Sequence, residues 1–257
     1  MCPQHEWDQS GWSKPAVVVW VLFGLAGLVI GALLLLPSGG GREAYRRAVC
    51  VNNLKQIGLA LNNYHAKYHC FPPAYIPDAD GKPMHSWRVL LLPYLEEPAF
   101  EDLFRQYDFN EPWNGPNNRK LAERAIPIYR CPSDTSDGAQ TSYLAVVGDE
   151  TMWPGAKNLT LRKMNDGSSK TIAVVEVANS GIGWTEPRDL PFDQAVLGIN
   201  SSPPRQSSAC IHSEHSAGAN LLFADGSVHF LTNKVPPETL RALLTANGGE
   251  TVTIPDD

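Results

Sequence analysis

His212-Ser-Glu-His215 sets an HxxH pair beside Glu214, with Asp225 and His229 a short distance downstream. In a zinc enzyme, two histidines on one helical face hold the metal and a glutamate acts as base. The HExxH spacing is absent here. The segment also runs through a Ser- and Gly-rich stretch into a hairpin pattern rather than along a helix. A metal-dependent hydrolase built on His212, His215 and Asp225 is therefore the least favoured functional reading. A structural His215 that bonds to loop backbone is the better one. His65 and His69 stand four apart and could share a metal, but such pairs are more often a solvated helix face. Asp78, Asp80 and Asp149-Glu150 offer loop oxygens of the kind calcium takes, without matching a calcium-loop pattern. No GxSxG elbow, Walker loop or Gly-rich dinucleotide fingerprint occurs. The reading is of a chain that is not an enzyme, with no cofactor and no metal.

Five cysteines are present: Cys2, Cys50, Cys70, Cys131 and Cys210. The last four form an even set, as an oxidising compartment favours, and all four are candidate disulfide partners. Spacing leaves all three pairings of those four open, and also leaves open that they are free buried thiols. No CxxC occurs, so nothing in the spacing points to structural zinc. Trp113, Trp153 and Trp184 are candidates for a ligand face if exposed. Together with loops 108–118 and 203–216 they would suit a module that captures a glycan, peptide or ion.

These residues need a scaffold to position them. Of the 257 residues, 43% are hydrophobic and 19% charged, an ordinary globular balance. The net charge of -6 and the lack of a basic stripe exclude nucleic acid as a partner. Residues 16–36 carry no charge, and a helix of that length spans roughly 30 Å, the thickness of a bilayer core. The expected organisation is a head at 1–14, a transmembrane helix at 15–37, a Gly-rich break at 38–41 and a globular domain at 42–257. Arg42, Arg46, Arg47 and Lys55 follow the span, while only Lys14 precedes it. Counted naively, that charge bias places the large domain in the cytoplasm.

Beyond the span, Leu54, Ile57, Leu61, Tyr64 and Tyr68 recur at helical spacing, predicting an amphipathic helix that ends by Tyr68 before Pro72-Pro73. Residues 96–107 read as a second helix, with Leu103 and Phe104 facing inward. Strands are expected at 126–130, 142–147 and 171–177, the last β-branched, apolar and central. Asp225-Gly226 between two apolar runs predicts a β-hairpin with a type I′ turn. Residues 236–246 suggest a short final helix. The pattern is α+β: a long N-terminal helix, transmembrane then amphipathic, packed on an antiparallel sheet with long loops.

Several stretches together resemble a known family. They are Cys50; Asn53 onward through Asn62 to His65; Phe71-Pro72-Pro73; Trp87 through Leu92; and Cys131-Pro-Ser-Asp134. Asp166-Gly-Ser-Ser-Lys, Glu176-Val, and Trp184 through Asp193 follow, and His215 lies nine residues before Asp225-Gly226. In this order they resemble the bacterial prepilin-like family called domain of unknown function 1559, with its His-x9-Asp-Gly signature. The resemblance implies a pilin-like or type II secretion pseudopilin-like fold and an exported head domain, against the charge count. It brings no catalytic residues, and His215, Asp225 and Gly226 are expected to be structural. The leader departs from the family pattern, since Ala16 rather than Glu stands fifth after Gly11 and Lys14-Pro15 intervene. An uncleaved anchor is therefore expected. The resulting expectation is a single-pass inner-membrane protein with its C-terminal domain outside the cytoplasm. Its partners would be the lipid bilayer, envelope proteins and pilin-like proteins.

Overall fold

The structure, a computed structural model, describes residues 39–136, 138–196, 198–201 and 210–255. The expected head and transmembrane helix lie outside the described residues, as does the first half of loop 203–216, residues 203–209. Among the described residues no helix is long and apolar enough to cross a membrane. Two compact units are distinguished, Met1–Ala44 and Tyr45–Asp257. Of the first, only the helical residues 39–44 are described, and the fold below is that of the second.

The fold is α+β. Helix α1 is Gly39–Tyr68. It takes in Gly39 to Gly41, where a Gly-rich break is expected. The first turn of a helix has no intrahelical partners for its N–H groups, so glycine there costs only its propensity, about 1 kcal/mol each. The helix ends at Tyr68, as expected, with His69 in the left-handed region at φ 60° and its N–H on the His65 carbonyl. Leu54, Ile57 and Leu61 are buried, and Cys50 extends the same stripe one turn upstream. Each buried aliphatic side chain contributes roughly 1.5–3 kcal/mol. Tyr68, by contrast, is exposed.

Two sheets follow. A small antiparallel pair joins β1 (Tyr75–Pro77) and β2 (Pro83–Ser86). Helix α2 (Trp87–Leu91) follows at once, capped by the Ser86 hydroxyl on the Arg88 N–H. Next come α3 (Pro98–Gln106), within the expected 96–107, and the short α4 (Asn118–Ala122). The main sheet contains β3 (Tyr143–Val147), β4 (Ile172–Glu176), β5 (Leu190–Pro191), β6 (Gly218–Phe223) and β7 (Val228–Thr232). Its order is β5-β3-β4-β6-β7, so β4 is central as expected. All pairings are antiparallel except β3 with β5. The short helix α5 (Phe192–Ala195) follows β5, and α6 (Pro237–Leu244) is the expected C-terminal helix.

Both faces of the sheet are covered. Tyr143, Ala145, Val174 and Leu222 pack with Leu54 and Ile57 of α1. Leu144, Val146, Val175, Leu221 and Phe223 pack with Leu240 and Leu243 of α6. Burial on both sides explains why β4 reads as a continuous apolar run rather than an alternating one. A bulge between Ile172 and Val174 sets Ala173 and Val174 on the same face and fixes which residues point to α1. One consequence is that Glu176 is directed to the α1 side, paired across from Tyr143.

Two local expectations are corrected. Residues 126–130 are not a strand: Pro127 lacks an N–H for a ladder, and Pro127–Tyr129 close a 3-10 turn instead. The hairpin at Asp225-Gly226 forms, but not with a type I′ turn. Only Gly226 has positive φ, at 91°; Asp225 does not. The Gly226 N–H bonds to the Phe223 carbonyl, and the Phe223 N–H to the Ser227 carbonyl. That is the three-residue loop with a left-handed glycine at its end. Asp225 Oδ1 accepts from both the N–H and the hydroxyl of Ser227.

His85 is buried, with Nδ1 at 3.0 Å from the Tyr107 hydroxyl and Nε2 at 3.2 Å from the Phe109 carbonyl. Burial lowers its pKa from the ordinary value, opposed by the Phe109 carbonyl and by Asp108. The unfolded chain thus binds the proton more readily than the folded one. The stability His85 supports is complete above the unfolded pKa of about 6.5 and is lost as pH falls below it. Urea midpoints measured from neutral to mildly acid pH should fall through this window, and His85→Gln should flatten the slope. An unchanged slope would place the effect elsewhere.

Candidate functional site

Where β4 ends, four buried side chains from separate parts of the chain meet under α1. Cys50 (0% exposed) comes from the helix and Cys131 (3%) from the loop before β3. Glu176 (1%) is the last residue of β4, and His215 (3%) precedes β6. Cys50 and Cys131 are joined in a disulfide, with Cα atoms 5.2 Å apart, inside the range that bridge geometry requires. His215 Nε2 lies 3.5 Å from Cys131 Sγ and 3.7 Å from Glu176 Oε1. One donor atom from each residue falls within 4.8 Å of all the others.

Each member is held by its own segment. Asn53, one helical turn from Cys50, donates to the carbonyls of Pro127 and Arg130, pinning α1 to the Cys131 loop. The Cys131 N–H donates to Ser142 Oγ at 2.9 Å, and that hydroxyl donates to Asp134 Oδ2 at 2.7 Å. Cys131-Pro-Ser-Asp134 is therefore a turn closed on the start of β3. Both Glu176 oxygens are satisfied by Asn220: its backbone N–H reaches Oε2 at 2.8 Å and its Nδ2 reaches Oε1 at 3.0 Å. Backbone bonds between His212 and both Glu176 and Ala178 lay segment 211–213 beside the end of β4, which delivers His215 to the cluster. Asn220 Oδ1 is buried without a hydrogen-bond partner.

The electrostatics follow from the burial. Burial lifts the Glu176 carboxyl above its usual range, while His215 and the Asn220 donors pull it back. Burial also holds the Tyr143 phenol well above its ordinary value, and Glu176 adds to that. Sulfur, imidazole and carboxylate thus share one buried space, a donor set of the kinds that bind zinc-class divalent metals.

The sequence-predicted site residues are distributed unevenly. His215 lies in the cluster. Asp225 and Gly226 lie at the other end of β6, roughly 20 Å along the strand. His212 turns to Glu214, at 3.9 Å. His212, His215 and Asp225 therefore do not converge, and the hydrolase geometry is not formed. Among the described residues, the cluster of Cys50, Cys131, Glu176 and His215 is the one group of three or more such donors within metal reach. Cys70 and Cys210 are free thiols. Trp153 and Trp184 are core residues, donating to the Ala173 and Arg124 carbonyls, and cannot present a ligand face. Trp113 is half-buried.

Asp225-Gly226 packs against α1. A Cβ on Gly58 of α1 would meet Leu222 Cδ1 at 2.8 Å and Gly226 Cα at 3.1 Å. The hairpin tip thus sits directly under the helix, and Asn62 Nδ2 reaches the Asp225 carbonyl at 3.4 Å. Gly226→Ala places a side chain at φ 91° and 3.1 Å from Asn62 Nδ2. It should cost about 1–3 kcal/mol in urea unfolding. A loss within error of zero would show that the tip is not held this way.

The chain matches the family described as "Protein of unknown function (DUF1559)" over residues 40–152 and 178–238. It belongs to the DUF1559 family. No curated protein and no solved structure matches it. Within this DUF1559 chain, Cys50, Cys131 and His215 fall inside the matched residues, and Glu176 falls between them.

Proposed function

We propose that the chain is a membrane-anchored, pseudopilin-like structural or interaction protein of the cell envelope. Its globular unit lies outside the cytoplasm and has no catalytic role. One observation carries this reading: an N-terminal helix lies across a largely antiparallel sheet and is tied by a buried disulfide to the loop that enters it. Such bridges persist in oxidising, extracytoplasmic compartments. The apolar run at 16–36 supplies the anchor. Protease shaving of intact cells and spheroplasts, with mass mapping of the fragments, tests it. The expected outcome is release of the domain after Arg42 from outside, with Cys2 left on the membrane fragment. Protection until the inner membrane is broken would favour a cytoplasmic interaction role.

A second reading is a binding module, and a surface cleft favours it. Tyr64, Tyr68, Tyr94 and Phe104, with Lys67 and Arg105, line a cleft of about 320 Å³. Tyr64 and Tyr94 meet edge to face at 5.6 Å. Aromatic faces with a charged rim suit a glycan or peptide. If an oligosaccharide panel binds the full chain and Tyr94→Ala abolishes that binding, this reading gains. If nothing binds, the structural role stands.

A further inference from the structure

We infer that Cys50, Cys131, Glu176 and His215 form a zinc-class metal site whose metal-bound state and disulfide state exclude each other. The inference is independent of the topology proposed above. It rests on four buried donors of the types zinc prefers, brought within 4.8 Å of one another by four separate segments.

The distances fit a tetrahedron. With thiolates at about 2.3 Å and imidazole at about 2.0–2.1 Å from zinc, a sulfur–nitrogen edge is about 3.5 Å. Cys131 Sγ and His215 Nε2 are 3.5 Å apart. An imidazole–carboxylate edge is about 3.4 Å on the same reckoning, and His215 Nε2 lies 3.7 Å from Glu176 Oε1. The sulfur–sulfur edge must be about 3.8 Å, against about 2.05 Å in a disulfide. The sulfurs therefore cannot be bonded to each other and to the metal at once. The supports a metal site needs are already present. Asn220 orients the carboxylate through both oxygens, and Ser142 with Asp134 fixes the Cys131 backbone.

The exchange balances as follows. A dithiol transfers two electrons to the Cys50–Cys131 bond and closes to its own disulfide. Its two protons end on the two protein sulfurs. A divalent ion then displaces those protons to water and exchanges hydration waters for two thiolates, a Glu176 oxygen and His215 Nε2. A disulfide oxidant reverses the sequence, removing two electrons from the thiolates and releasing the ion.

The probe is cobalt(II), a spectroscopic substitute for zinc, added to the full chain. The chain is first reduced with a dithiol, which is removed without air. Reduced protein should bind one cobalt per chain, with thiolate-to-cobalt charge transfer and the intense visible bands of a tetrahedral site. Zinc should displace the cobalt, and oxidised protein should bind none. Cys131→Ser should lose about half of the charge-transfer intensity. Glu176→Gln and His215→Gln should each weaken binding at least tenfold while the circular dichroism of the folded chain is retained. If these variants do not fold, X-ray absorption of cobalt-loaded wild type decides: two sulfurs and two nitrogen or oxygen ligands support the site, and any other sulfur count overturns it. The inference also fails if the folded, reduced chain shows no charge transfer, or if the reduced chain unfolds and binds nothing. Equal binding by Glu176→Gln and His215→Gln, which would assign the cobalt to Cys70 or Cys210, overturns it as well.

Discussion

Asp189→Ala is expected to lower the unfolding free energy by about 3–5 kcal/mol, because it leaves a buried guanidinium without its counter-charge. Arg88 is fully buried, and its Nη2 donates to Asp189 Oδ1. The same carboxylate accepts from the Trp87 indole N–H at 3.2 Å and from the Ala145 backbone N–H at 2.8 Å. Arg88 also reaches the Tyr143 carbonyl through Nε and Nη2, and Ser86 Oγ through Nη1. One ion pair thus ties α2 and β3 to the residue that leads into β5. Burying both charges is expensive, so the pair as a whole contributes little beyond an apolar pair of similar volume. Removing one partner is costly because the other cannot be resolvated. Arg88→Met with Asp189→Leu should therefore recover most of what Asp189→Ala loses. Urea midpoints of the three proteins decide. A single-variant loss below about 1 kcal/mol would mean that water reaches Arg88.

Cys131→Ser is expected to cost about 4–5 kcal/mol in the metal-free chain, since the bridge closes a separation of 81 residues. Most of that effect lies in the unfolded chain, which regains the freedom of a long loop. Reduction of wild type by a dithiol should give a similar loss. Cys70→Ser, a change at a partly exposed free thiol, should give little. If Cys131→Ser and Cys70→Ser shift the denaturation midpoint equally, the bridge does not form in solution.

Much of the scaffold was legible from local chemistry. β4 declared itself through consecutive β-branched residues, the β6–β7 hairpin through Asp-Gly, and the end of α1 through Pro72-Pro73. What failed were features set by partners distant in sequence. The bulge at Ala173, the covering of the sheet by α6 and the parallel pairing of Val146 with Leu190 leave no periodic mark. Trp153 and Trp184 read as ligand residues because an isolated tryptophan carries no sign of whether a core surrounds it. The cluster was illegible for the same reason: its members stand at positions 50, 131, 176 and 215, and a search for CxxC or HExxH sees none of them. The signal lay in the resemblance. All four residues belong to the stretches that carried it, yet nothing in a linear reading said that those stretches meet. His215 and Asp225 were joined in one signature although β6 holds them apart, because the nine intervening residues measure a strand and its turn.

The bridge also determines how the chain would respond to force. Tension entering at the N-terminal end can unwind α1 only as far as Cys50, where it passes through sulfur to Cys131. The residues between the two cysteines are bypassed and cannot lengthen while the bond holds. A full chain stretched between its ends should therefore come up short by about 280 Å, the extended length of the 81-residue separation, and should recover that length once a dithiol is present.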